Sequence, residues 1–195
     1  MEKVLIKPSR YKKVKITVVG QPPGLIMNQF SEKAKGDMGK IHKGEKNQRE
    51  ARDEEWIKKK WEGALHRHNG GYGIPSPAFK AGMIRMIKQR GAKMVDANTW
   101  FFVIGEYCPI TKHSGWEGRC DRVRLSNKST DLAYRPWFKE WEAEVTIEYD
   151  ESLISKETLL SLLEDAGRLG VLEWRPSSGR PGPYGTYRIK TGGKK

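Results

Sequence analysis

The run Trp141-Glu-Ala-Glu-Val-Thr-Ile-Glu-Tyr149 alternates strictly, and with the amphipathic helix that follows it makes half of a βαβ unit. Trp141, Ala143, Val145, Ile147 and Tyr149 fall on one side and Glu142, Glu144, Thr146 and Glu148 on the other, which is the pattern of a half-buried strand. Asp150 and Glu151 end it. Ser155 then stands as an N-cap before Leu159, Leu160, Leu162, Leu163 and Ala166, an apolar helical face, with Gly167 as its expected stop. Beyond the helix the sequence predicts a strand pair, Val171 to Trp174 and Tyr184 to Ile189. Between them lies Arg-Pro-Ser-Ser-Gly-Arg-Pro-Gly-Pro, which cannot continue a ladder. Gly179, Gly182 and Gly185 give that loop a glycine at every third position.

Earlier in the chain, Tyr11 to Val19 alternates Val14, Ile16 and Val18 against Lys13, Lys15 and Thr17, so it is expected to be the first strand. Gly20-Gln-Pro-Pro-Gly24 breaks it, and Leu25 to Phe30 is a short apolar segment that re-enters the core or extends the strand past a bulge. Residues 31–46 are rich in Lys and Gly and read as a loop. Asn47 to Leu65 reads as a helix with Trp56, Ile57, Trp61 and Leu65 on the face against the body. Pro77 to Arg90 reads as a second helix, with Phe79, Met83, Ile84, Met86 and Ile87 buried and Lys80, Arg85, Lys88 and Arg90 exposed, closed by Gly91. Thr99 to Gly105 is apolar and aromatic enough for a strand, whereas residues 106–139 read as an irregular basic excursion with one short strand at Arg122 to Leu125.

Taken in order these elements spell βαββαβ, an α+β ferredoxin-like core of the RRM-like kind. Residues 1–195 are expected to form one domain, with insertions at about 31–75 and 106–139. That arrangement sets the first strand between the last strand and the Trp141 strand. Lys13 and Lys15 then lie near Glu142, Glu144 and Glu148 on one side and Arg188 and Lys190 on the other.

Function classes narrow by charge and by missing motifs. The net charge of +13 and pI near 9.7 favour a polyanion partner. No Ser-His-Asp order, phosphate-binding P-loop or deaminase signature occurs. Cys108 and Cys120, in a chain without a cleavable apolar N-terminus or an apolar run of membrane-spanning length, fit a reducing, cytoplasmic setting. Cys108, His113 and Cys120 match no compact zinc spacing, so no metal and no cofactor is expected.

Three stretches resemble the RAMP superfamily, ferredoxin-like RNA-binding proteins that include the backbone subunits of CRISPR effector complexes. They are the opening strand with Gly24-Leu-Ile-Met-Asn-Gln-Phe30, the segment Tyr72-Gly-Ile-Pro-Ser-Pro to Arg85, and Arg168-Leu-Gly-Val-Leu-Glu-Trp-Arg-Pro to Ile189 with its glycine-rich loop. The resemblance implies a non-catalytic protein that binds single-stranded RNA or DNA and lines up with copies of itself, or within a larger ribonucleoprotein, away from membranes. A phage or mobile-element relative on the same fold, acting on a protein assembly, is one alternative. Another is a metal-independent endoribonuclease using His66 or His68 as general acid or base. For strand binding the expected phosphate contacts are Lys13 and Lys15, Lys80, Arg85 and Lys88 on the first core helix, Arg119, Arg122 and Arg124 on the excursion, and Arg168, Arg175 and Arg180 around the glycine loop. Trp174 or Tyr184 is expected to stack a base. Contacts to the backbone rather than to base edges imply low sequence preference.

Overall fold

A computed structural model describes residues 10–28, 53–91, 93, 97–124, 130–179 and 181–191. Strand β1 (Tyr11–Gly20) and strand β9 (Trp141–Asp150) are antiparallel neighbours along their length, Lys13 facing Glu148, Val14 facing Ile147 and Ile16 facing Val145. On the far side of β1, Val18 to Gly20 pairs with β10 (Tyr187–Ile189). The first strand therefore lies between the last and the Trp141 strand, as the periodicities require. The remaining edge of β9 is shared by two strands, β5 (Phe101–Val103) at its end and β6 (Tyr107–His113) at its start. The sheet continues through β4 (Gly71–Pro75) to β3 (Arg67–His68).

Two helices cover one face. Helix α2 (Ser76–Gln89) buries Phe79, Met83, Ile84 and Ile87, and helix α3 (Lys156–Leu169) buries Leu159, Leu162, Leu163 and Ala166. Beneath them Ile16, Val18, Ala143, Val145 and Ile147 are almost fully buried. Each large apolar side chain in this layer stabilises by about 1.5–3 kcal/mol, so the layer supplies most of the folding free energy. Ser155 caps α3 as expected, its hydroxyl accepting from Thr158 N–H at 3.2 Å.

Gly167 does not stop α3. The helix runs to Leu169 and is capped by Gly170 at φ 70°. Gly167 instead permits the helix to cross β10, because a Cβ there would lie 2.1 Å from the Tyr187 carbonyl oxygen.

The excursion is not irregular. It forms β7 (Glu117–Arg124) and β8 (Thr130–Phe138), which pair antiparallel and, with β2 (Leu25–Ile26) on the other edge of β8, build a second sheet. Helix α1 (Glu54–Gly63) lies across that sheet. Trp56 and Trp61 meet the Tyr134 ring edge-on at 5.5 and 6.1 Å, and the Trp61 indole N–H donates to the Arg119 carbonyl at 2.9 Å. Gly118 makes room, since a Cβ there would sit 2.5 Å from the Trp61 ring. Asp53 caps α1 through the Trp56 N–H. The loop expected at residues 31–46 and the start of the helix expected from Asn47 lie outside the described residues.

Candidate nucleic-acid interface

The glycine-rich segment after α3 is a packed shelf. Val171 to Trp174, expected as a strand, is not one: Leu172 and Trp174 adopt positive φ of 62° and 53°, which no ladder tolerates. Val171 and Leu172 are buried, at 2% and 4% exposure, and Trp174 is half-exposed. The segment closes on itself through Val171 N–H to Gly185 O at 3.0 Å and Tyr184 N–H to Trp174 O at 3.3 Å. It is then tied to the β1–β2 turn by Gly185 N–H to Gly24 O at 2.8 Å and Glu173 N–H to Ile26 O at 3.2 Å. Gly185 has φ of 72° and would place a Cβ 2.0 Å from the Val171 carbonyl.

This shelf gathers basic side chains from distant parts of the chain. Arg175 donates to Leu172 O at 2.5 Å and to the Ser177 hydroxyl at 3.2 Å. Arg85, from α2, donates to Ser177 O at 3.0 Å. Arg175 lines two adjoining hollows. One, of about 220 Å³, runs beside α2 past Asn28, Ala78, Gly82 and Arg85. The other, of about 400 Å³, opens toward β8 and is walled by Arg135, Glu173 and Trp174.

Arg119 and Tyr184 meet beside it, the guanidinium donating to the phenol oxygen at 2.7 Å and lying 5.0 Å from the ring centroid. Asp121 accepts from Arg119 Nε at 2.8 Å. Burial pulls the Arg119 pKa down, but Asp121 and Tyr184 outweigh it and the group is held charged.

The other expected contacts lie elsewhere. Lys13 and Lys15 are on the open sheet face, 3.3 Å from Glu148 and 2.9 Å from Glu144, while Glu142 takes Lys190 at 2.7 Å. These exposed pairs contribute little to stability, about 0–1 kcal/mol each, but they neutralise that face. Lys80 donates to Asn98 O and covers the Phe102 ring at 4.3 Å. Lys88 is exposed further along α2, and Arg168 is exposed in the last turn of α3. Arg122 falls on the opposite face of β7 from Arg119, because side chains alternate along a strand. The Arg124 side chain and Arg180 lie outside the described residues.

His66 is 2% exposed, its ring 6.1 Å from that of Tyr107, and His68 stands on the β3–β4 hairpin beside Asn69. Cys108 is buried in the main sheet, and burial pushes its thiol up to about 11, whereas His113 and Cys120 are exposed, Cys120 on the second sheet.

Among the residues of the hollows not singled out from the sequence are Asn28, Arg135 and Glu173. Arg135 carried a signal, as a charge set within Ala-Tyr-Arg-Pro-Trp-Phe that has nowhere to go but an interior polar wall.

No family model matches the chain, and no curated protein matches it. Among solved structures it is similar to a chain in the cryo-EM structure of the Type III-B Cmr-beta bound to cognate target RNA, with a TM-score of 0.56 and 10% identity. The match covers 93% of this chain and 59% of that one, so the protein spans about three fifths of the length of its structural neighbour. The likeness establishes a shared fold, an α+β protein with a ferredoxin-like core.

Proposed function

We propose that the protein binds single-stranded nucleic acid without cleaving it, and that copies assemble side by side along the strand as RAMP-type backbone subunits do. The observation that carries this reading is the convergence of Arg85 and Arg175 on one rigid glycine-rich shelf, between hollows that a polynucleotide backbone and its bases would fill. The likeness to a chain from an RNA-bound complex supports it. So does the disposition of charge: the open sheet face is neutralised by its own glutamates, whereas helix α2 carries Lys80, Arg85 and Lys88 and no acid. Phosphates neutralised there release counterions, so affinity depends steeply on salt.

Fluorescence anisotropy with a labelled single-stranded RNA tests it. Binding at low salt that weakens on the order of a hundredfold by physiological salt agrees with a handful of phosphate contacts. Absence of binding at low salt would leave a protein partner as the ligand. RNA versus DNA is decided by the same titration with the matching deoxyribose strand.

A further inference from the structure

We propose that the hollow between β8 and the glycine shelf is a guanine pocket, into which one base of the bound strand turns. This rests on the strand-binding reading above and adds to it a preference at one position. The hollow, of about 400 Å³, is in the size range of small-molecule sites, about 300–1,000 Å³. Its walls differ in chemistry. Trp174 presents an indole that makes neither a hydrogen bond nor a ring contact among the described residues, and its backbone is held at φ 53°, a conformation an L-residue adopts only when its surroundings enforce it. A half-exposed aromatic face at the mouth of a polar hollow is a stacking surface for an unpaired base.

Arg135 and Glu173 supply the readout. Arg135 is 8% exposed, and its Nη2 lies 3.9 Å from a Glu173 carboxylate oxygen, too far for a hydrogen bond. Both groups line the hollow side by side. Guanine is the base that matches such a pair along one edge. Its N1–H and N2–H donors fit the two oxygens of the Glu173 carboxylate, and its O6 acceptor, next on the same edge, fits the Arg135 Nη2 beside that carboxylate. Adenine, cytosine and uracil each lack that adjoining donor pair. A single-stranded ligand leaves this edge open, and Arg175 at the rim is positioned for the phosphate beside the turned base.

The test compares low-salt anisotropy titrations of the full chain with short labelled oligouridines, alike except for one central guanosine, adenosine or cytidine, or none. The guanosine strand is expected to bind about tenfold tighter than the rest or more. Glu173→Gln is expected to remove that advantage, and an advantage that persists in the variant overturns the proposed readout. Equal binding of all four strands, or an advantage for adenosine or cytidine, overturns the guanine pocket and leaves strand binding standing. Failure of every strand to bind overturns both. If Glu173→Gln does not fold, the wild-type series alone decides.

Discussion

Replacing Gly185 by alanine tests whether the glycine-rich segment is a rigid shelf or a pliable turn. The added methyl meets two obstacles. At φ of 72° an L-residue costs about 1–2 kcal/mol. The Cβ would also lie 2.0 Å from the Val171 carbonyl oxygen, which is held in place by burial of Val171 and by the hydrogen bond from Val171 N–H to Gly185 O. Backbone must shift, and overpacking of that kind costs about 1–3 kcal/mol. The sum is about 2–5 kcal/mol, a large part of a typical stability of about 5–15 kcal/mol. Gly179 is the control. It is exposed, and nothing lies within 4 Å of where its Cβ would be, so Gly179→Ala should be neutral or stabilising by up to about 1 kcal/mol. Urea unfolding followed by tryptophan fluorescence should show the Gly185→Ala midpoint lowered by about 1 M or more. Midpoints for the two variants that coincide would mean the segment yields, and the case for a preformed binding shelf would fail with it.

Other expectations rest on single contacts. Trp61→Phe removes the indole donor to Arg119 O while keeping most of the ring packing, so urea melts should show a loss of about 1 kcal/mol. The Cys108 thiol ionises near 9 when exposed and about 11 in the fold. Its contribution is therefore complete below pH 9 and is lost as pH rises toward 11, since the unfolded chain releases its proton first; this amounts to roughly 2–3 kcal/mol, and Cys108→Ala should flatten that part of the pH profile of the urea midpoint. Lys80→Ala with Lys88→Ala should weaken binding to all oligonucleotides alike, while Lys156→Ala should leave anisotropy titrations unchanged. Purified protein without metal should leave labelled RNA intact over hours; cleavage abolished by His66→Ala or His68→Ala would restore the endoribonuclease reading.

Strands β1 and β9 and the two helices over them were legible because they obey period two and 3.6 over long runs, whereas β6, inside the stretch read as an irregular excursion, and the short β3 and β4 were not. Tyr11 to Val19 and Trp141 to Tyr149 each carry an apolar face with lysines or glutamates opposite, and their antiparallel pairing follows from the βαββαβ order. Of strand β7 only the end was read, as the short strand expected from Arg122, because its sequence, Glu-Gly-Arg-Cys-Asp-Arg-Val-Arg, has no apolar face. One side is covered by Trp61 from another element and the other holds Arg119 and Asp121, so the partners that make it a strand lie far away in sequence. Val171 to Trp174 misled for the converse reason. Val171 and Leu172 are buried in a tight turn, where positive φ at Leu172 and Trp174 is imposed by tertiary contacts that local propensity cannot foretell.

Of the candidate site, Arg85, Trp174 and Arg175 were found as basic and aromatic residues beside glycines. Their meeting with Arg135 and Glu173 depends on how the second sheet folds back over the shelf.

Light scattering of the protein mixed at low salt with single-stranded RNAs of increasing length tests the central proposal most directly. The account predicts complexes whose mass grows in steps of one protomer, with the number bound rising in proportion to strand length. A protein that remains monomeric and unbound at every length, or that adds one copy regardless of length, would contradict assembly along a strand.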